Sequence, residues 1–323
     1  MRHFISGDIG GTKTRLARVT VNGSRVEVVH EQTYPSREFA DFSDILADFA
    51  SQVSLPEAAA FGIAGQIHGR VARTTNLDWV IDAAALEARF GFRHISLLND
   101  LEATAWGIAA LGEDDLLTLY PGQTDAQGNR AVIAAGTGLG EAGLYWDGQR
   151  HHPYATEGGH VSFSPATSDE FALLSYLQQR YGHVSWERVV SGMGVVNLHA
   201  FLREYRQVAV PLWLAEEMSS GDAAAAISAA AEGDSICEET MRWLVRLYGA
   251  EAGNLALKSM SRGGLYIGGG IAPKMLPRLQ SGDFMSAFLD KGRMRPLLEA
   301  MPVKVILNDR TALFGPALFA AQP

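Results

Sequence analysis

Near the amino terminus, apolar and polar residues alternate in runs too short for helices. Phe4 to Asp8 predicts a strand, and Arg15-Leu16-Ala17-Arg18-Val19-Thr20-Val21 alternates as a second. Asn22-Gly23 is a hairpin signal, and Ser24 to Val29 runs back. The Gly10-Gly11 turn therefore joins two strands of a meander and does not open a helix. The period then changes. Phe39 to Val53 has helical spacing, Ala58 to Ala64 is a buried-type strand ending at Gly65, Gly69 to Thr74 is a further strand, and Ile81 to Phe90 is a helix. Ile95 to Leu98 is a strand. Asn99 or Asp100 is placed to cap the following helix, Leu101 to Leu111.

A change of domain is expected around Gly112 to Asp115. The second half begins as the first did. Leu116 to Tyr120 and Arg130 to Ala135 are strands. The latter runs into Gly136-Thr137-Gly138-Leu139-Gly140, after which Ala142 to Trp146 is a strand that Asp147-Gly148 turns back. Strand, glycine loop, strand, turn thus occurs twice, a weak internal repeat visible in architecture more than in letters. Helices follow at Asp169 to Tyr181, Val195 to Tyr205 and Ser235 to Met260. The alanine-rich Asp222 to Ala231 is a good helix former and needs no functional reading. Leu265-Tyr266-Ile267 is a strand that meets Gly268-Gly269-Gly270. Val303 to Leu307 is a late strand, and Thr311 to Ala321 is a closing helix.

Composition narrows the function classes. At 323 residues the chain is too long for one comfortable core, so two domains are expected. Hydrophobic content of 47% with 20% charged residues fits a folded globular protein. No uninterrupted apolar run reaches about 18 residues, so no membrane span is expected. The apolar part of the amino terminus is too short for a signal peptide, and Asp8 interrupts it. The one cysteine, Cys237, can form neither an internal disulfide nor a thiolate metal cluster, which suits a cytoplasmic setting. The net charge is −9 with basic residues scattered, so no polynucleotide partner is expected. A nucleotide remains compatible, because local N–H groups and one lysine can bind phosphate in an acidic protein.

The two glycine-threonine turns carry the candidate chemistry. A phosphate loop must bring N–H groups to oxygen with no Cβ in the way. Either turn alone is equally an ordinary turn. As a pair they say more, since each follows an apolar strand and bears a threonine hydroxyl, in Asp8-Ile9-Gly10-Gly11-Thr12-Lys13 and in Gly136-Thr137-Gly138. Neither matches the G-x-x-x-x-G-K-[ST] loop. Gly138 to Gly143 fits G-x-G-x-x-G, but that fingerprint must open a helix and here a strand follows, which sets a dinucleotide dehydrogenase aside. Asp100 at a strand end is the candidate base, since a hydroxyl attacking phosphorus must lose its proton; its plain alternative is a helix cap. Asp8 can hold Mg²⁺ through water, or merely stabilise the turn. Thr156-Glu157-Gly158-Gly159-His160 sets a carboxylate and an imidazole around two small residues, which suits close approach of a polyhydroxyl ligand. Glu187 alone reads as a surface ion pair, and Gly268-Gly269-Gly270 as either an adenine platform or a strand-to-helix turn. His151, His152, His183 and His199 lack ligand-like spacing and read as surface or core residues.

The order of these segments is more specific than any one of them. Asp8 to Thr12, Thr75-Asn76-Leu77-Asp78-Trp79, Leu98-Asn99-Asp100, Ala135 to Gly140, Glu157 to His160, Glu187-Arg188-Val189-Val190-Ser191-Gly192, Gly268 to Ile271 and Asp309 to Gly315 follow one another along essentially the whole chain. This series resembles the bacterial ATP-dependent glucokinase family. The resemblance implies a two-lobed α/β fold of the actin-like ATPase (ribonuclease H-like) type with a cleft between the lobes. It implies a small domain of residues 1–111 plus 301–323 and a large one of 112–300. It also implies a homodimer that uses ATP and Mg²⁺ to phosphorylate the glucose 6-hydroxyl. By the same resemblance Asp100 is the base, and Asn99, Asp100, Glu157, His160 and Glu187 contact the sugar. Gly10, Gly11, Thr12, Lys13, Gly136, Thr137 and Gly138, with Asp8, bind phosphate, and Gly269 and Gly270 flank adenosine. Lys13, Gln66, Ala134 and Met193 depart from the family's usual residues. They bear on nucleotide affinity and loop rigidity and remove no catalytic group.

The expectation is therefore a cytoplasmic hexose kinase whose lobes close on glucose and ATP. Its alternatives are a kinase for another hexose and a non-catalytic sugar sensor on the same fold. A regulator would need a DNA-binding module, and the chain opens directly on its first strand. Polyphosphate or ADP as donor is excluded by no residue.

Overall fold

The computed structural model describes residues 1–322. In chain order they form β1 (Arg2–Ile9), β2 (Lys13–Asn22), β3 (Arg25–Pro35), α1 (Phe42–Gln52), β4 (Ala58–Ile63), β5 (Gly65–His68), β6 (Val71–Thr74), β7 (Val80–Asp82), α2 (Ala83–Phe90), β8 (His94–Asn99), α3 (Asp100–Gly107) and β9 (Leu116–Tyr120). Then come β10 (Arg130–Ala135), β11 (Leu139–Trp146), β12 (His151–Thr156), α4 (Ser168–Tyr181), α5 (Gly192–Tyr205), α6 (Leu212–Ser220), α7 (Ala223–Ala230) and α8 (Ser235–Ser259). The chain ends through β13 (Leu265–Gly268), α9 (Leu276–Leu279), α10 (Asp283–Leu289), α11 (Arg295–Glu299), β14 (Val303–Ile306) and α12 (Thr311–Ala320). Two compact units result. The first holds Met1–Leu116, His152–Ala155 and the residues from Asn308 onward; the second holds Leu117–His151 and Thr156–Leu307. The strand β14, grouped with the amino-terminal residues in the sequence reading, pairs in parallel with β13 and belongs to the second unit.

The main sheet of the first unit runs β3-β2-β1-β4-β8. Its first three strands are antiparallel, joined by tight turns, whereas β1, β4 and β8 are parallel and need the crossovers that α1 and α2 supply. Side chains alternate between the two faces. Ile5, Ile9, Leu16, Phe61, Ile63 and Ile95 are buried together with Phe42, Ile45, Leu46 and Phe49 of α1. On the other face Phe4, Ala17, Val19 and Val21 pack with Leu313, Ala317 and Leu318 of α12. Strands β5, β6 and β7 make a separate three-stranded sheet. Ile81, expected to open a helix, instead pairs with Ala72, and Asp82 caps α2 by accepting from the N–H groups of Ala84 and Ala85.

The sheet of the second unit runs β12-β11-β10-β13-β14-β9. Its β10 pairs antiparallel with β11 and parallel with β13, and β13 is parallel to β14. Leaving β9 aside, this is the strand order of the first sheet, so the repeat suspected from the sequence is a repeat of topology. The long α8 underlies it. Its buried Tyr248 hydroxyl accepts from Ala135 N at 3.2 Å and donates to Ile133 O at 3.3 Å, which pins the end of β10 where the second glycine loop begins.

Helix α12 holds the first unit's chemistry in place. It packs against α3 and β1, and the Ser6 hydroxyl donates to Leu313 O at 2.5 Å. The two helices touch through small residues. A β-carbon on Gly315 would overlap the carbonyl oxygen of Ala103, and one on Gly107 would overlap that of Thr311. Among the described residues, no helix is long and apolar enough to cross a membrane.

Candidate active site

In the first unit the parallel strands set the site residues by register. Ile9 is level with Ile63, and Ile63 with Asn99. The carboxyl ends of β1, β4 and β8 are therefore flush, and the first glycine loop and Asn99-Asp100 leave the same edge of the sheet two strands apart. Neighbouring strands lie about 4.8 Å apart, so the two features are separated by roughly 10 Å at their roots. Ligands of parallel α/β sheets bind outside this edge. Asn99 is the cap of α3, accepting from Leu101 N at 2.9 Å and Glu102 N at 3.3 Å. Asp100 is the first helical residue, half-buried, with Oδ1 2.9 Å from Leu101 N. The capping alternative thus falls to Asn99 and leaves the Asp100 carboxylate a separate position.

The loop Gly10-Gly11-Thr12 is folded tightly. Gly10 N donates to Lys13 O at 3.0 Å, Ser36 N to Thr12 O at 3.0 Å, and the Ser36 hydroxyl to Gly10 O at 2.8 Å. Thr12 and Lys13 are exposed. A β-carbon on Gly11 would lie 2.6 Å from Cβ of Asn76, so the Thr75–Trp79 segment walls the loop on one side. Asp8 sits opposite Arg15 on β2. Burial pushes its carboxyl above the usual carboxylate range, with Arg15 pulling the other way.

In the second unit three candidates come together around the end of β10. Gly136 N donates to Gly138 O at 2.9 Å and closes the second glycine loop. Gly192 N donates to Gly136 O at 2.8 Å, tying the start of α5 to it. The Glu187 carboxylate accepts from Leu139 N at 3.0 Å and stands where any side chain on Gly138 would go. The sequence reading of Glu187 as a surface ion pair is thus corrected: it is half-buried and braces a backbone N–H of the loop. The third glycine turn meets the same strand end. Ile271 N donates to Ala135 O at 3.2 Å, and Gly269, at φ +82°, lies so close to that carbonyl that a β-carbon would strike it. Gly269 and Gly270 are exposed.

Glu157 and His160 are neighbours on the short turn of 3₁₀ helix Gly158–His160, with His160 Nε2 3.8 Å from Glu157 Oε2 and both side chains largely exposed. His183 bonds the carbonyl of His160, while His199 is buried against Arg203, where burial and that guanidinium hold its imidazole down at about 4. Three contributors went unread in the sequence. Asn76 lay in a noted motif without a role, Ser36 lay in no motif, and Glu141 looked like part of a glycine run. Among the described residues no group of three or more His, Cys, Asp and Glu is disposed to hold a metal.

Glycine loops at flush carboxyl edges of two sheets with one strand order, together with a carboxylate at a helix start, define a phosphoryl-transfer enzyme of the actin-like ATPase fold. A crystal structure of a glucokinase from an Antarctic psychrotroph is similar to it with a TM-score of 0.86 and 30% identity, covering 99% of this chain and 98% of that one. The glucokinase of Nostoc punctiforme is 42% identical over 340 residues, spanning all of both chains. A ROK family glucokinase from Streptomyces griseus, solved in complex with glucose and AMPPNP, shares the fold at a TM-score of 0.64 and 22% identity, with 98% of each chain covered. The Glucokinase family model matches residues 5–323, and the chain belongs to that family.

Proposed function

We propose that this enzyme transfers the γ-phosphoryl group of ATP to the 6-hydroxyl of glucose, releasing ADP and glucose 6-phosphate. The observation that supports it most is the shared level of Ile9, Ile63 and Asn99, which brings the first phosphate loop and the Asp100 carboxylate out at one sheet edge. In this reading Asp100 takes the proton of the 6-hydroxyl as that oxygen attacks phosphorus. Asn99, Glu157, His160 and Glu187 pair with sugar hydroxyls, and a sugar lacking one of these leaves a polar group unpaired, which is how the site discriminates. Gly10 to Lys13 and Gly136 to Gly138 hold the phosphates through N–H groups, hydroxyls and the Lys13 ammonium, and Gly269-Gly270 lets the adenosine lie against backbone.

Mg²⁺ supplies charge neutralisation between the phosphate oxygens. Asp8 fits it: a carboxyl pushed up by burial is one that a nearby cation ionises. Asp8 would hold the ion through water. Because the carboxyl must be ionised to do so, Mg²⁺ affinity falls as pH drops through its raised pKa, at a higher pH than for an ordinary aspartate. Asp8→Asn weakens the apparent Mg²⁺ affinity about tenfold or more and removes that acid limb. Initial rates against Mg²⁺ at fixed ATP from pH 5 to 8 measure both, and an unchanged acid limb in the variant rules Asp8 out.

Glu187 joins the two substrates' binding segments. Removing its carboxylate in Glu187→Ala releases Leu139 N and raises KM for ATP about tenfold, the effect of one charged hydrogen bond, together with KM for glucose. A rise confined to glucose would show that the loop does not depend on the brace. A homodimer in the cytoplasm completes the proposal; light scattering of the purified chain tests the dimer. The test of the whole is a coupled assay for ADP release offered glucose, mannose, fructose and N-acetylglucosamine in turn. Turnover with glucose is expected to exceed the others. Sugar binding without ADP release from any of them would make the protein a sensor.

A further inference from the structure

Behind the second glycine loop lies a pair of buried acids that the reaction above does not use. Glu141, on β11 directly after Gly140, is 1% exposed, and Glu251, on α8, is fully buried. Glu251 accepts from Lys258 Nζ at 3.0 Å and from Asn254 Nδ2 at 2.8 Å. Glu141 has neither partner, and its Oε1 has no hydrogen bond at all. The Glu251 charge acts on it as that of a second buried acid. A carboxyl buried with an unpartnered oxygen, beside a like charge, keeps its proton. Burial, with the Glu251 charge next, pushes the Glu141 carboxyl up to about 8, and Lys258 opposes this. Lys291, from the segment after α10, also feels Glu251, and Tyr248 of α8 feels Glu141.

The other side of Glu141 is the sugar segment. The Thr156 hydroxyl donates to Glu141 O at 2.8 Å and accepts from Gly158 N at 3.2 Å. Gly158 rests on the Glu141 carboxyl so closely that a β-carbon there would overlap Oε2. The floor of Glu157-Gly158-Gly159-His160 is thus this acid side chain. We propose that Glu141 is a positioning residue which, while its buried carboxyl keeps its proton, holds the Glu157–His160 segment in its glucose-binding position, and that loss of this proton releases the segment. This rests on the reading that Glu157 and His160 contact the sugar. When the proton leaves, two negative charges face each other away from water, and the cheapest relief is outward movement of Glu141 against Gly158.

The test compares wild type with Glu141→Gln, which keeps the shape and the donor of the protonated acid. In wild type the folded state keeps a proton that the unfolded chain gives up between about pH 4.5 and 8, so folding stability falls over that window and levels off above it. The Tm of Glu141→Gln relative to wild type therefore rises by roughly 5 °C or more from pH 5 to 8 and then stops rising. Wild-type KM for glucose rises about tenfold between pH 7 and 9.5 with KM for ATP within about twofold, whereas Glu141→Gln keeps its pH 7 glucose KM throughout. Gly158→Ala reproduces the high-pH wild-type KM already at pH 7. A Tm difference independent of pH overturns the retained proton. A flat wild-type glucose KM, or a rise that Glu141→Gln follows, overturns the positioning role. If wild type phosphorylates no glucose at pH 7, it is the functional reading that has failed, and the Tm difference still decides the proton.

Discussion

Asp100→Asn lowers kcat by about 10²–10⁴, the range for loss of a general base, and leaves glucose binding where it was. The substitution is close to a pure removal of basicity. The amide has the size of the carboxylate, and its oxygen can keep the 2.9 Å contact with Leu101 N. The cap of α3 comes from Asn99, so the helix does not depend on residue 100. Neither β8 nor the first glycine loop has reason to move. Glucose titrated into the variant should bind as it does to wild type, while ADP release collapses. The loss should appear equally in kcat and in kcat/KM, the mark of an interaction made in the transition state alone. A variant that turns over within tenfold of wild type would remove Asp100 from the chemistry, whatever its effect on KM.

The second large effect is structural and reaches the same residue from behind. Gly315→Ala puts a β-carbon into the Ala103 carbonyl, in a contact of backbone against backbone with no flexible side chain to yield. Helices α3 and α12 must part. Overpacking of this kind costs about 3 kcal/mol or more, and here it also strips cover from Leu313 and Ala317. In a protein of 323 residues that lowers Tm by roughly 4 °C or more. Because α3 begins at Asp100, the surviving folded fraction should also turn over more slowly. Calorimetry and kinetics on the same sample read both. A Tm within about 2 °C of wild type would mean that the helices accommodate the methyl, contrary to their spacing.

Much of the fold was legible because its signals are local. Alternation gave β1 and β2, Asn22-Gly23 gave their hairpin to β3, and a periodic run bounded by Asp234 gave α8 nearly to the residue. What escaped was set by partners distant in sequence. Gly65–His68 is a strand because Val71–Thr74 pairs with it, and Ile81 and Asp82 were absorbed into a helix because the three-residue strand Val80–Asp82 carries no period of its own. The helices α6 and α9 to α11 are short, and α9 and α11 begin with proline close by. In the proposed site, glycines and a carboxylate after an apolar strand stand out as candidates for a phosphate loop and a base because those chemistries demand particular residue types. Glu187 gave no such signal. Its hydrogen bond is to Leu139, 48 positions away, and a single glutamate between Trp186 and Arg188 says nothing of what it will meet. The same holds for Glu141 and Glu251, which lie far apart in sequence, on β11 and α8.

The common strand order of the two sheets has a consequence for ancestry. In the first, β8 ends in Leu98-Asn99-Asp100 and α3 follows; at the equivalent point of the second, β14 leads into Leu307-Asn308-Asp309 and α12. The same tripeptide recurs, and Asn308 accepts from Arg310 N at 2.8 Å much as Asn99 does from Leu101 N. The aspartates have parted company. Asp309 is occupied by Arg15 at 3.0 Å, a scaffolding duty. A duplicated ancestral half, once furnished with two interchangeable acids, would have been free to commit one of them to architecture as soon as the other sufficed for chemistry.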